Sequence, residues 1–278
     1  MTDESPKSIT PLVDCHTHLD QFNRQEIPDI LRRAQAANVG LIIAAGTTLV
    51  SSRHVIDLCE SQPMLYAGVG LHPMDLPGPV DDATLVALRE LARHPRVVVW
   101  SETGLDYLPT SPERGIQHDA FRAQIRLARG MGLPLVVHSR EADDDTLRLL
   151  TEEGAGGVGG AWHYFQGSLA LAQAVVEQGF YISMAKPLLR LPELQRVAAQ
   201  LPLESIVLET DTYPQTFKKH RHRWTEPSHV AQVAAKLAEL HGTTMELVAQ
   251  VTTANALLML GGRVPRDRLP LPVISQPE

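Results

Sequence analysis

Cysteine is nearly absent. Cys15 and Cys59 are too few for a disulfide framework, and a free-thiol content this low suits a reducing compartment. Long hydrophobic runs are missing too: none approaches the roughly 20 residues that cross a bilayer. The polar start MTDESPKSIT lacks the apolar core of a signal peptide. A soluble, cytoplasmic chain with no membrane partner is expected. Positive charge is in deficit, with 25 Lys and Arg against 32 Asp and Glu, a formal net charge of −7. That excludes a protein that coats nucleic acid through bulk charge, so any nucleic acid must be gripped at a local patch. The glycine-rich GAGGVGG carries no Lys-Ser/Thr of a phosphate loop, and no NTP cofactor is expected. No Gly-, Ser- or Pro-rich linker divides the middle of the 278 residues, and no obligate protein partner is evident.

What recurs is a short apolar run, often β-branched: LVDCH, VGLIIAAG, MLYAGVG, RVVVWSE, LPLVVHS, GVGGAWH, GFYISM and SIVLETD. Most are separated by helical-looking segments. In GIQHDAFRAQIRLARGM, for example, Ile116, Ala120, Ala123, Leu127 and Met131 form one stripe. Near-continuous apolar runs are those of parallel strands covered on both faces. Eight β–α units favour a single (β/α)8 TIM barrel over a doubly wound sheet. The barrel domain is expected over residues 12–262, with an N-terminal tail at 1–11 and a proline-rich C-terminal tail at 263–278.

In such a barrel, functional groups collect at the carboxyl ends of the strands. The first run ends in Asp14, His16 and His18, the third in His72, and the fourth in Glu102. The fifth ends in His138 and Arg140, the sixth in His163, and the eighth in Glu209 and Asp211. Only this fold would bring them to one mouth. Imidazole nitrogen and carboxylate oxygen suit magnesium, manganese or zinc without choosing among them. The donors are too many for one tetrahedral ion. Glu102, with two oxygens, can bridge two ions roughly 3.5–4 Å apart, as in two-metal hydrolytic sites. The expected division is His16, His18, Glu102 and Asp211 on one divalent ion, and Glu102, His138 and His163 on the other. Asp211 and Glu102 are the catalytic candidates, Asp211 as acceptor of the water proton.

Arg140 follows His138 by two residues and would share its facing, offering a fork of donors to phosphate or, alternatively, a salt bridge at the surface. His72 either meets the scissile group or caps the turn before Pro73. Cys15 alternates with His16 and should be a buried structural thiol facing the helices. Asp14 and Glu209 suit carboxylates that orient the imidazoles. His94, His118, His220, His222, His229 and His241 fall in helices or loops and are expected to be solvated. The loop TYPQTFKKHRHRWTEP interleaves Lys218, Arg221 and Arg223 with aromatics including Trp224, the pairing that single-stranded nucleic acid uses.

VDCHTHLD, GLHP, SETGLDY, LPLVVHSREA, WHYFQGS and LETD together resemble the signatures of the TatD family of metal-dependent hydrolases, in order from about Leu12 to Leu260. The resemblance implies a (β/α)8 barrel, a binuclear divalent-metal site and, for better-known members, deoxyribonuclease activity on single-stranded ends. The family's ligands fall on His16, His18, Glu102, His138, His163 and Asp211. The chain departs from the family pattern at Tyr164 to Gln166, at Thr212 to Pro214 and at RWTEP. A metal-dependent exonuclease on single-stranded nucleic acid is the leading expectation. A hydrolase of a carbonyl ester or amide, with the same metals, is the alternative. A metal-stabilised interaction protein is the third.

Overall fold

A strand made almost wholly of Val, Ile, Leu and Ala has no face to give to water, so it persists only where both faces are covered. All eight apolar runs meet that condition in the computed structural model, which describes residues 10–265 and Leu269. They form β1 (Leu12–Thr17), β2 (Val39–Ala45), β3 (Leu65–Val69), β4 (Val97–Asp106), β5 (Leu135–Arg140), β6 (Gly160–Trp162), β7 (Phe180–Met184) and β8 (Ile206–Leu208). Neighbours pair in parallel in the order β1 to β8. The ring closes just beyond the strands' hydrogen-bonded cores: Asp211 N donates to His16 O at 3.0 Å, His18 N donates to Thr212 O at 2.6 Å, and Thr17 bridges Thr212. Asp14 ties the same seam, accepting from Thr210 N at 2.9 Å and from Thr210 Oγ1 at 2.6 Å.

The helices are α1 (Ile27–Ala36), α2 (Leu49–Ser61), α3 (Asp82–Leu91), α4 (Arg114–Met131), α5 (Asp143–Glu152), α6 (Leu169–Glu177), α7 (Pro192–Ala198), α8 (Val230–His241) and α9 (Met245–Met259). Among the described residues no helix is long and apolar enough to cross a membrane. A large apolar layer lies between the ring and helices α1 to α8. A second cluster joins residues of the strands' inner faces, Leu41, Ile43, Val136, Ala161 and Val207, to the chain around the end of α9. Cys15, expected on the helix side, belongs to this inner cluster, because register shifts in β1 break its alternation. Thr10 is buried and hydrogen-bonded to Glu246, and Val264 and Leu269 are buried against the inner cluster. Residues 1–9, 266–268 and 270–278 of the two expected tails lie outside the described residues.

Helix α4 corrects the expected stripe. Its buried face carries Gln117, Ala120, Phe121, Gln124, Ile125 and Ala128, whereas Ile116, Leu127 and Met131 are only partly covered. The two glutamines are buried because their amides serve backbone groups that have no other partner. Gln124 Oε1 accepts from Leu71 N at 2.7 Å and from Trp100 Nε1 at 3.0 Å, while its Nε2 donates to Leu71 O. Gln117 brackets Asp106 in the same way, accepting from its N–H and donating to its carbonyl, both at 2.8 Å. The loop bearing His72 and the end of β4 are thus pinned from behind.

Gly104, at φ +150°, lies beside His138 on β5, and a Cβ there would sit 1.9 Å from the His138 carbonyl oxygen. Gly104→Ala is expected to lower stability by roughly 3 kcal/mol through overpacking and backbone strain. Gly130→Ala in α4, where a Cβ meets nothing within 4 Å, should be neutral or slightly stabilising. Equal denaturation midpoints for Gly104→Ala and the unmodified chain would refute the assigned approach of β4 to β5.

Candidate metal centre

The histidine candidates stand near the carboxyl end of a strand or just past it and Asp211 lies beyond β8, whereas Glu102 sits within the long strand β4, four residues before its end. His18, Glu102, His138, His163 and Asp211 line one cavity of about 740 Å3. His16 is fully buried and joins them through Glu102. Glu102 lies at the centre. Its Oε2 is 3.3 Å from both His16 Nε2 and His18 Nε2, and His18 Nε2 is 3.4 Å from Asp211 Oδ1. Its Oε1 is 2.8 Å from His138 Nδ1 and 3.4 Å from His163 Nε2. The ligand atoms that lie within 4.8 Å of one another form three groups: His16, Glu102 and His163; His16, His18 and Asp211; and His72, Glu102 and His138. The ring centroids of His163 and His16 lie 3.9 Å apart.

The carboxylates stay charged despite their burial. Burial pushes Glu102 up, but the charges of His72, His163 and His16 and the hydrogen bond from His138 outweigh it, and the carboxyl is held well below its usual range. Asp211 is opposed by burial in the same way and is drawn down to about 2 by the His18 hydrogen bond and by His163 and His18. Burial, with the charge of His163, lowers His16. His163 is raised to about 9, because Glu209 and Glu102 overcome its burial.

Glu209 Oε1 lies 2.8 Å from His163 Nδ1, so it orients that ring with Nε2 toward Glu102. Asp14 does not touch an imidazole side chain; its carboxylate holds Thr210 at the barrel seam. His72 caps the turn before Pro73 and also lines the cavity. Its Nδ1 accepts from Met74 N at 3.1 Å, so the ring proton sits on Nε2, which faces Glu102 Oε1 at 3.5 Å. It offers the cavity a donor rather than a lone pair.

Convergent nitrogens and oxygens with opposed lone pairs fit a divalent cation of the magnesium, manganese or zinc kind. Each ring of the His16–His18 pair engages only through Nε2, since both Nδ1 atoms are buried without a hydrogen-bond partner. Arg140 lines the same cavity, its side chain half exposed and 3.8 Å from Asp106 Oδ2. Asp106, which also meets His138 Nε2 at 3.0 Å, was missed in the sequence. Its place at the end of SETGLD, four residues after Glu102, was the available signal. Tyr164 and Tyr213 line the cavity as well. Tyr164 has a left-handed backbone (φ +48°) and donates its N–H to Glu209 at 2.8 Å.

The basic loop departs from expectation. Arg221 donates to Glu26 at 3.0 Å and to Glu226 at 2.9 Å, with its guanidinium over Trp224 at 4.6 Å and over Phe22 at 5.4 Å. Arg221 and Trp224 line a separate surface cavity, away from Glu102. Glu26 and Glu226 hold Arg221 there and Trp224 packs against its guanidinium, and neither lines the metal cavity. Arg223 is exposed, and Lys218 donates to Gln215 Oε1 at 2.6 Å and to the Arg223 carbonyl. Of the six histidines expected to be solvated, His94, His118, His229 and His241 are hydrogen-bonded within the fold.

Metal entry must displace the proton that His163 holds below about pH 9. Uptake at pH 7.5 should therefore release protons and weaken as the pH falls. Calorimetric titration of the metal-free protein with manganese, in two buffers of different ionisation enthalpy, reads this directly; a buffer-independent heat would contradict it. The same raised value stabilises the metal-free fold fully below about pH 6.5, and that contribution is lost as the pH rises through about 9.

Comparison with known proteins agrees with this geometry. Residues 13–261 match the family model described as TatD related DNase. The chain is 34% identical to the metal-dependent hydrolase YabD of Bacillus subtilis over 249 residues, covering 88% of this chain and 97% of that protein. It is 33% identical to human deoxyribonuclease TATDN3 over 260 residues, covering 88% and 93%. The crystal structure of YjjV, a TatD homologue from Escherichia coli, superposes with a TM-score of 0.83 at 31% identity, over 93% of this chain and 100% of that one. The chain belongs to the TatD family of metal-dependent hydrolases.

Proposed function

We propose that this protein is a phosphodiesterase, a deoxyribonuclease that shortens single-stranded nucleic acid, working with two divalent ions held on either side of Glu102. The observation that carries the reading is the division of donors around that carboxylate: His16 and His18 toward one oxygen, with Asp211 against His18, and His138 and His163 toward the other. The ions supply Lewis acidity that makes water nucleophilic at neutral pH and offsets charge on the phosphoryl oxygens.

The chain's own residues do the rest. Asp211 is the most exposed of the six donors, with 18% of its side chain accessible. It takes the proton of the attacking water as the new O–P bond forms and the ester P–O bond breaks. Glu102 stays ionised between the two donor sets that would hold the metal. Glu209 fixes the His163 ring, and Asp106 does the same for His138. Arg140, with no carboxylate closer than 3.8 Å among the described residues, is available to two oxygens of a phosphate in bidentate fashion. His72 offers its Nε2 proton to a second oxygen.

Metal-stripped protein resupplied with magnesium, manganese or zinc is expected to shorten end-labelled single-stranded oligonucleotides from one end. Asp211→Asn should lower turnover by roughly 10²–10⁴-fold. Arg140→Gln should act mainly on KM. Stoichiometric metal uptake with no shortening would reject the nuclease reading and direct the assay to carbonyl esters and amides.

A further inference from the structure

Many of the surface arginines and lysines spend their charge on a neighbouring carboxylate, as Arg33, Arg122, Arg148 and Arg221 do. On the β7–β8 rim several cations do not, Lys186, Arg190 and Lys218 among them. Among the described residues, no carboxylate oxygen lies within 4.0 Å of Lys186, Arg190 or Lys218.

The two lysines hang from one neutral frame. Lys186 Nζ donates to His229 Nδ1 at 3.3 Å and lies 3.5 Å from Thr225 Oγ1. Lys218 Nζ donates at 2.6 Å to Gln215 Oε1, which also accepts from Thr225 N at 2.8 Å. Neutral acceptors fix the ammonium groups without cancelling their charge. The cluster is unrelieved: burial and the charge of Lys218 depress Lys186, and burial and the charge of Arg190 depress Lys218. Such an arrangement costs stability unless an anion arrives to offset it.

Its position relates it to the metal cavity. Lys186 follows the end of β7 by two residues, and Arg190 is one turn further on. Arg190 is exposed at the end of the turn that Lys186 begins, and Tyr164 lines the cavity just past β6. The rim is two strands round the barrel from Arg140 on β5. A single phosphodiester would occupy Arg140 and the donors around Glu102, leaving these cations unused. A strand carries further phosphates at regular spacing, and Tyr164 lies between the two places with an aromatic face for the intervening base.

Resting on the phosphodiesterase reading above, we propose that Lys186, Arg190 and Lys218 form a second-phosphate subsite that makes the enzyme select a nucleic acid strand over an isolated phosphodiester. Two readouts test it on Lys186→Gln/Arg190→Gln and on the single variant Arg190→Glu, which changes an exposed residue without a partner and guards against misfolding of the double variant.

The first readout is binding of a fluorescein-labelled single-stranded 12-mer to metal-free protein, by anisotropy across a salt series. The double variant should bind roughly tenfold more weakly, with a plot of log K against log salt shallower by about 0.7 for each phosphate that is no longer neutralised. The second is the ratio of kcat/KM for the oligonucleotide to that for bis(p-nitrophenyl) phosphate with manganese-loaded enzyme. It should fall by a similar factor, carried by KM. Affinity and salt slope unchanged in correctly folded variants would overturn the subsite, as would wild-type protein that fails to bind the strand at low salt. Salt-dependent binding that is weakened in the variants, with no hydrolysis of either substrate, would instead overturn the phosphodiesterase reading.

Discussion

A carboxylate with imidazole against both of its oxygens, buried at the mouth of a parallel barrel, is the constraint around which this molecule is arranged. Left alone, Glu102 would take up a proton on burial. Surrounding histidines keep it charged, and it in turn keeps several of them charged. Such a cluster persists only where every side chain arrives at a fixed angle. The fixing is done from outside the cluster: Gly104 lets β4 lie against β5, Gln117 and Gln124 hold the backbone at Asp106 and Leu71, and Glu209 holds His163. The polar groups buried behind the site are therefore as much a part of it as the donors that face the cavity.

The sequence was most readable where one residue type has one use. Eight apolar runs are eight strands because continuous hydrophobicity excludes an exposed face, and the residues ending each run are neighbours because a barrel leaves them nowhere else to go. Reading failed where the physical cause was relational. The buried face of α4 looks wrong by hydrophobicity because two of its positions are glutamines whose amides replace absent backbone partners. Cys15 faces inward because β1 shifts register, which alternation alone does not reveal. The chemistry of Lys186 and Arg190 depends on the lack of a nearby carboxylate, and no local pattern in KPLLR announces that.

The basic loop after β8 teaches the complementary lesson. Its cations interleave with aromatics as in strand-binding proteins, yet Arg221 is taken up by Glu26 and Glu226, residues on opposite sides of it in the chain, and packs its planar face on Trp224. The segment is held against the body of the barrel by its own charges. Net charge and local composition describe what a loop carries; partners decide what it has left to offer.

The donors are distributed from His16 to Asp211, and the first and last of them lie on the two sides of the seam where β1 meets the segment after β8. A nascent chain that has left the ribosome only as far as β6 or β7 holds an incomplete set, with its amino-terminal pair exposed and waiting. The set that includes Asp211 is thus complete only once the segment after β8 has docked against β1.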